Sequence, residues 1–141
     1  MKRGILAVLS LVVLTSLAWG ADWYRYEATL TWREKPIRGG SNTFSADVYV
    51  LISNDWPPCL SVEDRQSGSV YWSGRFDQNE RTLQFQSSDV NGNHTVVGKG
   101  SFNSSYSGLN LRAWSLVWGP GNPTAFSEIR VRGKFLDIIS R

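Results

Sequence analysis

The chain reads as all-β: a small single-domain antiparallel barrel of the up-and-down meander type or, as the alternative, a two-sheet β-sandwich. Three observations predict this. Short segments alternate apolar and polar residues, the mark of strands with one buried face. Clusters of Gly, Pro, Asn, Asp and Ser divide those segments at close intervals. Beyond residue 20, no stretch carries the apolar spacing of an amphipathic helix of useful length. Hairpin-like connections between consecutive strands favour the barrel. A crossover within the 54–68 stretch would give the sandwich instead.

The N-terminus carries a different pattern. Lys2 and Arg3 precede an apolar run from Ile5 to Leu17, and Ala18-Trp19-Gly20 follows with small residues at the cleavage positions. This order predicts a secretory signal peptide over residues 1–20. The run is shorter than the roughly 20 residues a membrane-spanning helix needs. The expected mature chain, residues 21–141, is one β domain, secreted or periplasmic, that meets a membrane only through the signal peptide during export. With Lys2 and Arg3 removed, 13 basic residues face 12 acidic ones and the net charge falls from +3 to +1. That balance gives no electrostatic case for a nucleic-acid partner.

Tyr24 to Trp32 is the first expected strand, with Tyr24, Tyr26, Ala28, Leu30 and Trp32 inward. Phe44 to Ser53 is the second, and its apolar Tyr49 and Leu51 predict cover on both faces near its end. Asn54 to Gly68 reads as irregular, since Pro57 and Pro58 cannot donate to a ladder. Ser69 to Phe76 follows, with Val70, Trp72, Gly74 and Phe76 inward and Tyr71 outward. Thr82 to Ser88 places Leu83 and Phe85 inward. Asn91-Gly92 marks a hairpin turn into His94 to Phe102. Gly108 to Trp118 is apolar on both faces, and a bulge near Ala113 is expected to reconcile them. Ala125 to Phe135 closes the set, with Ile129, Val131 and Phe135 inward and Arg130, Arg132 and Lys134 outward.

Catalytic signals are sparse. His94 is the only histidine, and no G-x-S-x-G elbow presents a serine. Most acids fall in expected turns. Gly98-Lys99-Gly100 lacks the spacing of a phosphate loop, and Asp89 to Asn93 lacks the distal glutamate of a calcium loop. No catalytic residue, metal ligand or cofactor is assigned. Cys59 has no partner in the chain for a disulfide and is expected to be a poorly reactive thiol.

Aromatic residues are the informative excess. Of seven tryptophans, only Trp19 falls in the leader. Trp32 and Trp72 have inward phases and suit a core. Trp114 and Trp118 share a phase with Arg112, while Gly98 and Gly100 on the neighbouring strand leave room for a ring. Stacking area with one orienting polar group suits a small-molecule or sugar site. Gly98, Gly100, Arg112, Trp114 and Trp118 are therefore the candidate site of an exported, non-enzymatic binding domain for a small apolar molecule or a glycan. The alternative is an envelope structural or interaction subunit, or a secreted inhibitor, that engages a protein through a sheet edge. A membrane-spanning barrel fits less well, because inward glycines and large aromatics suggest a packed interior.

Overall fold

Eight strands form a closed antiparallel barrel in which each strand pairs with its neighbours in sequence and the last returns to the first. The computed structural model describes residues 22–53, 55, 57–88, 94–121 and 123–141, with the side chains of residues 88, 94, 118 and 123 excepted. The expected signal peptide, Trp56 and the Asn91-Gly92 turn lie outside the described residues. In order, the strands are β1 (Asp22–Pro36), β2 (Asn42–Ser53), β3 (Cys59–Asp64), β4 (Val70–Asn79), β5 (Thr82–Ser88), β6 (His94–Phe102), β7 (Gly108–Trp118) and β8 (Pro123–Ser140). This is the expected up-and-down barrel, and the sandwich is set aside.

Alternation along each strand builds the interior. Ala28, Leu30 and Trp32 of β1, Val48 and Val50 of β2, Leu60 and Val62 of β3 and Ile129 and Val131 of β8 are all buried in one cluster. Their sequence neighbours Glu27, Thr29, Thr31, Arg130 and Arg132 are exposed on the outer wall. A barrel spanning lipid needs the reverse, an apolar outer band. Antiparallel pairing puts the β2–β3, β4–β5 and β6–β7 connections at one end, called the mouth here, and the other four connections at the far end.

Three local expectations are corrected. β3 lies in the stretch read as irregular. Its prolines end at Pro58, just outside the ladder, and Leu60 and Val62 alternate with Ser61 and Glu63 against both β2 and β4. A register shift on β3–β4 leaves Tyr71 as an extra residue between Val70 and Trp72, which pair with Glu63 and Val62. Such a bulge re-aims a side chain. Tyr71 accordingly packs against the core, and Val70 becomes exposed. On β7 no bulge occurs near Ala113. Pairing with β6 is continuous, so Leu109, Leu111 and Ala113 face in, while Trp114 and Leu116 face out.

The predicted double cover of β2 is present. Leu51 and Ser53 are buried on the outer side, as are Ser61 and Glu63 of β3. Glu63 accepts both Arg141 guanidinium nitrogens and the Ser61 hydroxyl. The Arg141 bonds hold its carboxyl below the usual range despite the opposing effect of burial. Beside it, Arg25 forms a two-pronged pair with Asp137 at 2.8 and 2.7 Å and lies 4.6 Å from the centre of the Tyr49 ring.

Candidate ligand site

The predicted site residues do not form one site. Gly98 and Gly100 face the interior, and the space beside them is filled. A Cβ at Gly98 would stand 2.6 Å from the Phe85 ring tip and from the Arg112 carbonyl, and at Gly100 it would meet Leu111 and the Asn110 carbonyl. The glycines let β5 side chains and the β7 backbone approach β6; they leave no room for a ligand ring. Arg112 and Trp114 point the other way, to the outer wall, with the guanidinium 5.2 Å from the indole centre. The backbone of Trp118 pairs with Pro123 at the far end, and its side chain lies outside the described residues. On the outer wall the Gly100 backbone lines one concavity with Arg112 and the Gly98 backbone lines another with Trp114, so the predicted residues fall in two places. Cys59 opens β3, half-buried, and its thiol donates to the Pro57 carbonyl at 3.3 Å.

The mouth holds the more complete arrangement. Tyr24 and Tyr26 of β1, Ile52 of β2, Gln78 of β4, Phe102 of β6, Phe135 of β8 and Ser105 and Tyr106 of the β6–β7 turn surround a cavity of about 370 Å³. The inward phases at the mouth ends of these strands bring the rings together. Tyr26 meets Phe135 edge-on at 5.6 Å and Phe102 at 5.9 Å, and Phe102 meets Tyr106 at 5.3 Å. A bulge in β8 helps. Arg25 pairs with Asp137 and Tyr26 with Phe135, which leaves Leu136 as the extra residue. Phe135 therefore faces the mouth while Asp137 faces out to Arg25.

Polar groups fix the rim. The Tyr26 hydroxyl donates to the Tyr106 carbonyl at 2.7 Å. Burial, and then the neighbouring Tyr24, push the Tyr26 phenol above its ordinary pKa. The Tyr106 hydroxyl reaches the Glu80 carbonyl of the β4–β5 turn at 3.3 Å, and the Gln78 amide donates to the same oxygen at 2.7 Å. The Tyr24 hydroxyl has no partner among the described residues.

Tyr106 has φ 60° and Glu80 has φ 55°, and these are the non-glycine residues with left-handed backbone among those described. Each such conformation costs of order 1–2 kcal/mol. The turn around Tyr106 is tied down on all sides. Asn103 accepts from the Gly108 amide at 3.1 Å and donates to the Ser107 hydroxyl at 2.9 Å, and the Phe135 amide bonds the Ser107 carbonyl at 2.8 Å.

Sequence reasoning placed Tyr24, Tyr26, Phe102 and Phe135 inward but did not join them. Tyr106 was not among the candidate residues. The signal available was their common position near strand ends that an up-and-down barrel brings to one rim.

No protein-family model matches the chain, and no curated protein matches it. Fold and site define a class: a small closed meander barrel with a packed interior and one aromatic-lined mouth.

Proposed function

We propose that the chain is an exported binding protein that takes a small, largely apolar molecule into the barrel mouth. The observation that carries this is the pair of left-handed residues, Tyr106 and Glu80, bonded to one another over the aromatic cavity. Strained non-glycine backbone persists where surrounding structure over-determines it, and such sites cluster around ligands. The cavity volume of about 370 Å³ suits a ligand of one or two rings. The hydroxyls of Tyr24 and Ser105 and the Gln78 side chain supply a few orienting contacts within a mainly aromatic lining. Among the described residues, the lining contains no carboxylate, histidine or cysteine, which favours binding over catalysis. The leader pattern of residues 2–20 supports export. Closure pairs each strand on both sides, which removes the free edge that strand addition to a protein partner would use.

The test is titration with an apolar fluorescent amine, N-phenyl-1-naphthylamine. Saturable, blue-shifted emission is expected, with amide shift changes in NMR confined to the mouth. Tyr106→Gly removes the ring and relieves the backbone, so it is expected to weaken binding by about tenfold with little change in melting temperature. Absence of saturable binding, or undiminished binding by Tyr106→Gly, overturns the mouth as the site.

A further inference from the structure

We propose that the outer wall of β6–β8 docks on an anionic lipid surface, a contact beyond the transient one expected of the signal peptide and separate from the mouth. The wall is amphipathic. Val97, Trp114, Leu116 and Phe126 are cross-strand neighbours, through the pairs Val97↔Trp114 and Leu116↔Phe126. Val97, Leu116 and Phe126 are 42%, 37% and 39% exposed, and Trp114 is half-buried. Single exposed apolar residues are ordinary, but a contiguous group is not.

Cations rim this group on two sides. Lys99, Arg112 and Arg130 stand in one cross-strand row. Arg33 and Lys35 stand on the β1 side, opposite Glu128 and Phe126. Like charges directly opposite one another destabilise a sheet. The acid seated among them is Glu128, which bonds both Arg112 and Arg130, at 3.3 and 3.4 Å. Lys99, Arg33 and Lys35 have no ionic partner among the described residues.

Charge complementarity selects the occupant. A hydrated anionic polymer would account for the cations but leave the apolar side chains in water. An anionic bilayer accounts for both: the aliphatic and aromatic groups enter the headgroup boundary, and lysine and arginine meet lipid phosphates. Tryptophan beside a guanidinium suits that boundary, since its ring is apolar and its N–H is polar.

The chain from Asp22 onward, whose barrel is closed by the β1–β8 pairing, is mixed with phosphatidylcholine vesicles with and without phosphatidylglycerol. Sedimentation with the anionic vesicles, loss on added salt, and quenching of tryptophan emission by brominated lipid are expected. Lys35→Gln with Arg130→Gln is expected to lower partitioning by roughly 10- to 30-fold, from about 1 kcal/mol per cation at an anionic surface. Leu116→Ser with Phe126→Ser is expected to lower it by about tenfold and to abolish the quenching. A control pair of equal charge change away from that wall, Arg65→Gln with Arg81→Gln, is expected to stay within about twofold. Melting curves establish that each variant folds, and a variant that melts early is replaced by Lys99→Gln with Arg112→Gln. Absent sedimentation, equal binding to neutral vesicles, or equal loss in the control overturns the proposal. So does binding of a sulfated hexasaccharide without vesicle binding, which would mark the wall as a polymer site.

Discussion

The two ends of the barrel are built from the same material and do different things with it. At the far end the rings lie on rings. Trp32 stacks on Phe44 at 5.8 Å, Trp72 stacks on Phe85 at 6.1 Å, and Trp32 meets Trp72 edge-on at 6.4 Å. At the mouth the rings meet at angles around an open volume. A bulge contributes at each end, with opposite results. The extra residue at Tyr71 adds a ring to the far-end stack. The extra residue at Leu136 instead turns Asp137 outward and keeps a carboxylate out of the mouth. An aromatic excess in a small barrel therefore makes a cavity only where the rings enclose space, and register decides which end that is.

Truncating one ring at each end is the strongest way to break this comparison. Trp72→Ala is expected to cost about 3–5 kcal/mol, as for other buried tryptophans. Phe135→Ala is expected to cost about 1–2 kcal/mol, because that ring is 41% exposed and lines a cavity already open. Trp72→Phe provides an internal check. The Trp72 indole N–H is buried without a hydrogen-bond partner among the described residues, so phenylalanine removes an unsatisfied donor along with some ring area. It is expected to fall well short of the alanine loss. Urea unfolding of the variants measures all of this. Equal losses from Trp72→Ala and Phe135→Ala would make the mouth a second packed core.

A subtler change sharpens the comparison. Tyr26→Phe keeps the ring and deletes the hydrogen bond to the Tyr106 carbonyl. It is expected to cost about 0.5–1.5 kcal/mol, the usual net worth of such a bond. Amide exchange of residues 103–107 is expected to quicken, while that of β3 and β4 near Tyr71 stays unchanged. Uniform acceleration across the barrel would show that the turn is not separately held by Tyr26.

Much of the barrel was legible because period-two alternation states which face is buried. Tyr24 to Trp32 alternates over the full length of the buried part of β1. β3 was hidden because it offers two inward apolar residues, Leu60 and Val62, directly after a pair of prolines. Tyr71 was placed outward because a bulge shifts phase without altering composition. The candidate site was less legible still. Gly98 and Gly100 do face inward as read, but whether a gap is empty depends on the side chain opposite, here Phe85. Arg112 and Trp114 do share a face, which is the outer wall. The mouth residues come from five strands and a turn, and closure alone makes them neighbours.

The smallest expected effect concerns protons, and the acid-side response of Asp64 belongs to the far end rather than the mouth. At the mouth, burial and then Tyr24 raise the Tyr26 phenol above its ordinary value of 10.0. The folded state then keeps a proton that the unfolded state releases. The resulting stability is full below pH 10.0 and declines as pH rises from there through the folded value. At the far end, Asp64, the last residue of β3, accepts the Ser67 and Gln66 amides, each at 2.9 Å, and the Tyr71 hydroxyl at 3.2 Å. The Ser67 and Gln66 amides, foremost among these, lower its carboxyl below the ordinary value of 3.8. That contribution is full above pH 3.8 and is lost as pH falls through the folded value. Melting temperatures followed into acid and into alkali are expected to flatten on the alkaline side alone for Tyr26→Phe, and on the acid side for Asp64→Asn, with a smaller alkaline change because Asp64 adds to the effect of burial in raising the Tyr71 phenol. The acid response flattens only in part, because Glu63 and Asp137 are lowered by Arg141 and Arg25 and titrate in the same direction. A Tyr26→Phe variant that reshapes the acid side would mean that the two ends are coupled through the core and that their chemistry is not separable.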